Sequence, residues 1–90
     1  MKSYRFVVHG KVQGVYYRKT INENATLVGF NGYVKNLADG SVEACVTCKN
    51  EIEFKQFRKI LKKGSMASSV KSLEKFEIDE VFSNGFEIRY

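Results

Sequence analysis

The order in which apolar spacing switches between strand and helix periods constrains this chain's fold more tightly than any single motif. Over residues 3–9, Tyr4, Phe6 and Val8 alternate onto one face, as in a half-buried strand. From about Val15 to Gly29 the spacing turns helical, with Tyr17, Ile21, Ala25 and Val28 on one stripe and Gly29 as the stop. Residues 31–37 and 41–48 read as a hairpin joined through Ala38-Asp39-Gly40. Asn50, with Glu53 three residues on, predicts a capped second helix over roughly 51–63. Phe54, Phe57, Ile60 and Leu61 form its buried stripe, and Gly64 ends it. A small polar loop, Gly64 to Ser69, leads into a strand within 70–81 that turns Phe76 and Ile78 inward. Phe86, Ile88 and Tyr90 alternate in a short closing strand.

An order of strand, helix, strand, strand, helix and strand, plus the closing strand, predicts an α+β, ferredoxin-like sandwich. A largely antiparallel sheet of four to five strands carries two helices on one face. Ninety residues, 43% of them hydrophobic, make one domain spanning 1–90 with a modest core. The first two strands are joined by a helix, so they run parallel through a right-handed crossover and end on the same edge of the sheet. The segment leaving strand one and Asn36, at the end of strand two, therefore share one rim.

Across that rim runs His9-Gly10-Lys11-Val12-Gln13-Gly14-Val15-Tyr16-Tyr17-Arg18. Glycine lets successive backbone N–H groups turn inward, and a helix N-terminus adds unpaired donors and partial positive charge. Gly10, Lys11, Val12, Gln13 and Gly14 accordingly read as a loop that holds a phosphate. Helical side chains tilt toward the N-terminus, which aims Arg18 back over the loop, where its planar guanidinium matches two phosphate oxygens at once. Lys11 adds electrostatic attraction from a side chain facing solvent. Gln13 either contributes loop hydrogen bonds to the ligand or serves the loop's own structure. Asn36 admits two readings from its chemistry: a turn former opening the hairpin, or an amide that holds a water in line with a bond to phosphorus. His9, the only histidine, is expected to end strand one rather than to react.

The pattern Gly10-x-Val12-Gln13-Gly14-Val15-x-Tyr17-Arg18, followed by Gly32-Tyr33-Val34-Lys35-Asn36-x-x-x-Gly40-x-Val42, resembles the paired signature of the acylphosphatase family. The ending Gly85-Phe86-Glu87-Ile88-Arg89-Tyr90 is similar to the way those chains finish, and the similarity runs from about Tyr4 to Tyr90. It implies the ferredoxin-like fold and a hydrolase that cleaves the carboxyl–phosphate bond of small acyl phosphates. The products are carboxylate and inorganic phosphate, with no metal and no cofactor. The resemblance further implies that Arg18 and Asn36 are the catalytic residues, Asn36 orienting the attacking water. Cys48 stands where the family usually has Gly, and Ser65 where Pro is common; both lie outside the loop and Asn36.

That reaction agrees with the chemistry the chain offers. It shows no nucleophile–base pair, carboxylate dyad or metal-ligand cluster. An acyl phosphate expels a carboxylate whose conjugate acid has a pKa of roughly 4 to 5, so no general acid is required. Positioning and charge stabilisation then suffice.

The net charge of +5 invites a rival, a non-catalytic ferredoxin-like module that binds phosphate or nucleic acid. Yet residues 49–75 carry the whole surplus, chiefly on the second helix, where Glu51 and Glu53 near the start and Lys59, Lys62 and Lys63 near the end complement the helix dipole. Gly29-Phe30-Asn31-Gly32-Tyr33-Val34 lacks the leading basic residue and the aromatic spacing of an RNA-recognition strand, so no nucleic-acid partner is expected. Apolar runs such as Phe6-Val7-Val8 are too short for a membrane span or a signal peptide. Cys45 and Cys48 lie three apart on one strand and so point to opposite faces. They are expected to be free thiols of a monomer in the cytoplasm.

Overall fold

The strand over Val42–Cys48, every residue of it buried, lies at the centre of a five-stranded sheet. In chain order the computed structural model, which describes residues 1–90, contains β1 (Lys2–Lys11), α1 (Tyr17–Val28), β2 (Asn31–Asn36), β3 (Val42–Cys48), α2 (Glu51–Lys63), β4 (Ser69–Ile78) and β5 (Phe86–Arg89). The sheet order is β4-β1-β3-β2-β5. Both β1 and β2 pair antiparallel with β3, so they run parallel to one another and finish on the same edge. β5 joins β2 as the one parallel pair. This is the expected α+β, ferredoxin-like sandwich.

One face of the sheet supplies Phe6, Val8, Val34, Val42, Ala44 and Val46 to the core, and the helices meet it with Ile21, Ala25, Phe57 and Leu61. Each large side chain so buried contributes roughly 1.5–3 kcal/mol. Gly29 stops α1 in the left-handed region, its N–H bonded to the carbonyls of Ala25 and Thr26. Val28, expected on the buried stripe, is exposed at this capped end, and Phe30 takes its place in the core. Asn50 caps α2 by accepting from the Glu53 N–H at 3.0 Å, while the Glu53 carboxylate accepts from the Lys49 N–H at 2.8 Å.

Phe76 and Ile78 do not turn toward the helices. The register between β1 and β4 shifts between His9 and Gly10, which puts Val70 opposite Gly10 but Leu73 opposite Val8. The extra residue lets Val70 and Leu73, three apart, both pack on the helix-side core, and it sends Phe76 and Ile78 to the other face, opposite Arg5 and Ser3. There the Arg5 guanidinium lies 5.6 Å from the Phe76 ring centre, and Arg5 Nε donates to Glu43 Oε1 at 2.5 Å. The Tyr33 hydroxyl donates to the other Glu43 oxygen at 2.7 Å. The segment after β4 crosses this face, stacking Phe82 edge-on to Tyr33 at 5.7 Å. Cys45 is buried on this side and Cys48 in the helix-side core, both as free thiols. Burial, followed by the nearby Glu53 and Glu51, pushes the Cys48 thiol up to about 11.

Candidate active site

β1 does not stop at His9. It continues through Gly10 and Lys11, which pair with Val70 and Ser69 of β4, so neither belongs to the loop in which the sequence placed them. Gly10 has a φ of 132°, and a Cβ there would lie 2.2 Å from the Ser69 carbonyl oxygen and 2.7 Å from the Lys71 nitrogen. Close strand contact excludes a side chain at Gly10. His9 points to the face away from the helices and pairs with Glu74 at 2.6 Å. The side chain of Lys11 is exposed.

The loop proper runs from Val12 to Tyr16 and is pinned from several directions. Val12 and Val15 are buried in the core, while Gly14 and Tyr16 face outward. Gln13 Nε2 donates to the Leu37 carbonyl at 2.8 Å and to the Ser41 carbonyl at 2.9 Å, so its amide ties the loop to the β2–β3 turn. Ser65 Oγ donates to the Val15 carbonyl at 2.7 Å. The next residue, Tyr17, is buried and donates its hydroxyl to the Leu61 carbonyl at 2.8 Å; burial pushes its phenol well above the ordinary range. These bonds fix the first turn of α1 against α2.

Helix α1 begins at Tyr17, two residues later than the periodicity suggests, because Tyr16 adopts a left-handed conformation, φ 60° and ψ 20°. It is the only non-glycine residue with positive φ, a geometry that costs a bulky residue about 1–2 kcal/mol. No side chain caps this helix and its first turn holds no acidic residue, in contrast to α2. From Gln13 to Lys19 no backbone N–H finds an acceptor within the chain. The result is a row of donors at the positive end of a helix, the arrangement that binds anions.

Five residues of this run, Gly14 and Tyr16 to Lys19, border an open cleft of about 500 Å³. Arg18, Lys19 and Asn36 all line it, and no carboxylate side chain does. Arg18 is held with its guanidinium 5.0 Å from the Tyr90 ring centre and its Nη1 3.5 Å from the Arg89 carbonyl. Asn36, the last residue of β2, faces the helix side, and its Oδ1 is buried without a hydrogen-bond partner. The structure thus brings Val12, Gly14, Arg18 and Asn36 together around one cleft, leaves Gln13 bracing it from behind, and sets Gly10 and Lys11 back in the sheet. Tyr16, Ile88 and Tyr90 complete the walls. Sequence reasoning missed all three. The alternation of Ile88 and Tyr90 marks a strand, but only its parallel pairing with β2, Val34 opposite Ile88, carries it to Asn36.

The chain is similar to known proteins in sequence and fold. The family model Acylphosphatase matches residues 4–88. An acylphosphatase of Borrelia garinii subsp. bavariensis is 36% identical, with both chains covered in full. One of Methanocella arvoryzae is 34% identical over 99% of this chain and 100% of its own length. Among solved structures, the crystal structure of acylphosphatase from Bacillus subtilis superposes with a TM-score of 0.90 at 33% identity over the whole of both chains. The chain therefore belongs to the acylphosphatase family, a family of hydrolases.

Proposed function

We propose that this chain hydrolyses the carboxyl–phosphate bond of small acyl phosphates in the cleft at the start of α1. The observation that carries the reading is one convergence: residues with unpaired N–H groups (Gly14 and Tyr16 to Lys19), the Arg18 side chain and Asn36, whose Oδ1 has no partner, line one cleft free of carboxylate side chains. A dianionic phosphoryl group supplies the acceptors this row of donors lacks, and Arg18 offsets its charge through paired hydrogen bonds. Val12, Gln13 and Gly14 shape the cradle, and Gly10 and Lys11 support it from β1.

Asn36 Oδ1 accepts a hydrogen bond from the attacking water and aims the water's lone pair at phosphorus, in line with the acyl oxygen. The new P–O bond forms as the bond to the acyl oxygen breaks, and the carboxylate leaves with the bonding pair. The water's proton passes to a phosphate oxygen. Because the leaving group is weakly basic, no general acid, metal or cofactor is called for. The proposed protein works as a cytoplasmic monomer without a nucleic-acid partner. The placing of its basic surplus, mainly on α2 in the helical layer rather than on an aromatic sheet platform, speaks against a nucleic-acid partner.

The test is hydrolysis of benzoyl phosphate, with chelator present, by wild type, Arg18→Ala and Asn36→Ala. Turnover by the wild type that both substitutions abolish supports the reading. A folded wild type without turnover would leave an anion-binding domain. Salt-dependent RNA affinity would then favour the rival module.

A further inference from the structure

Tyr16 has no structural task that explains its side chain. Its left-handed backbone would suit glycine or asparagine better, yet a bulky tyrosine stands there. The ring is 78% exposed, makes no hydrogen bond, stacks on no other aromatic ring and carries no cation. The backbone geometry directs it outward beside the phosphate cradle, where it borders the same cleft as Arg18 and Asn36. Buried Val15 and Tyr17 on either side prevent it from folding away. Ile88 and Tyr90 supply further apolar surface to that cleft. At about 500 Å³ the cleft is of the size that takes whole small molecules, so it has room beyond the phosphoryl group.

Resting on the acyl phosphate reading above, we infer that Tyr16 is a specificity-determining residue: its ring receives the acyl group of the substrate and favours flat, apolar acyl groups over short ones. The cradle and Asn36 grip atoms that every acyl phosphate shares, so they cannot discriminate among acyl groups. Tyr16 meets the part that differs. An aromatic ring against a planar acyl group contributes selectivity of about five-fold, the size of a single aromatic contact.

The experiment compares kcat/KM for benzoyl phosphate and for acetyl phosphate in wild type, Tyr16→Phe and Tyr16→Gly, with a thermal melt of each. Tyr16→Gly relieves the left-handed residue, so it should melt no lower than wild type, which separates loss of the ring from loss of the fold. The benzoyl-to-acetyl ratio should fall about five-fold in Tyr16→Gly, mostly through KM, and stay at the wild-type value in Tyr16→Phe. A ratio unchanged in Tyr16→Gly, or both substrates losing equally, would overturn the assignment while leaving the hydrolase reading intact. A wild type that turns over neither substrate would overturn that reading, and this inference with it.

Discussion

Arg18 owes its placement to contacts that come from the far end of the chain, the Tyr90 ring and the Arg89 carbonyl. Replacing it with alanine removes the one cation so held, and kcat/KM for benzoyl phosphate should fall by ~10³-fold or more, as for other charge-supplying arginines in phosphoryl transfer. Asn36→Ala should lower kcat by ~10²-fold while phosphate affinity persists, because a water positioner acts on the transition state rather than on the bound anion. Loss of affinity alone would assign Asn36 to binding instead. Gly10 makes a prediction of a different kind. Gly10→Ala drives a Cβ into the Ser69 carbonyl, so β4 must shift, and stability in urea should drop by about 2–3 kcal/mol. That Arg18 and Asn36 share one cleft was legible because helix tilt and crossover handedness are general rules. Gly10 was misplaced because its requirement comes from β4, some sixty residues downstream, which local spacing does not encode.

Among the elements, β3 carries an acidic side chain through the middle of the sheet. Burial alone would raise the Glu43 pKa, but hydrogen bonds from Arg5 and Tyr33 outweigh it and hold the carboxyl below its ordinary value. A depressed folded-state pKa means that Glu43 adds stability above its unfolded value, about 4.3, and that this is lost as pH falls through the folded value. Urea midpoints measured at pH 7 and pH 3 should therefore drop further for wild type than for Glu43→Gln. An equal drop would show that the network contributes nothing to acid stability. Both helices, the hairpin and the closing strand were readable from period and caps. The face of β4 was not, because the residue inserted at its bulge reverses the alternation that Phe76 and Ile78 had suggested. The start of α1 was likewise hidden by one left-handed tyrosine, which period analysis treats as an ordinary helical residue.

At the scale of the molecule, a ligand that binds only the folded cleft stabilises the whole fold by mass action. Inorganic phosphate at about ten times its Kd should add about 1.4 kcal/mol, raising the wild-type melting temperature by several degrees and leaving Arg18→Ala nearly unmoved. Equal shifts in both would locate the phosphate elsewhere, for instance on the lysines of α2. The cleft also draws on distant parts of the fold: the loop after β1, the end of β2 and the wall supplied by β5. β5 is the weakest of these, since Phe86–Arg89 spans four residues at the sheet's edge and is bonded to a single neighbour. Elements of that kind open well before a domain melts as a whole. Fraying of this one ribbon would release the arginine and remove a wall while the core around β3 stayed intact. If the cleft is the proposed active site, the molecule would fall silent as a catalyst long before it ceased to be a folded protein.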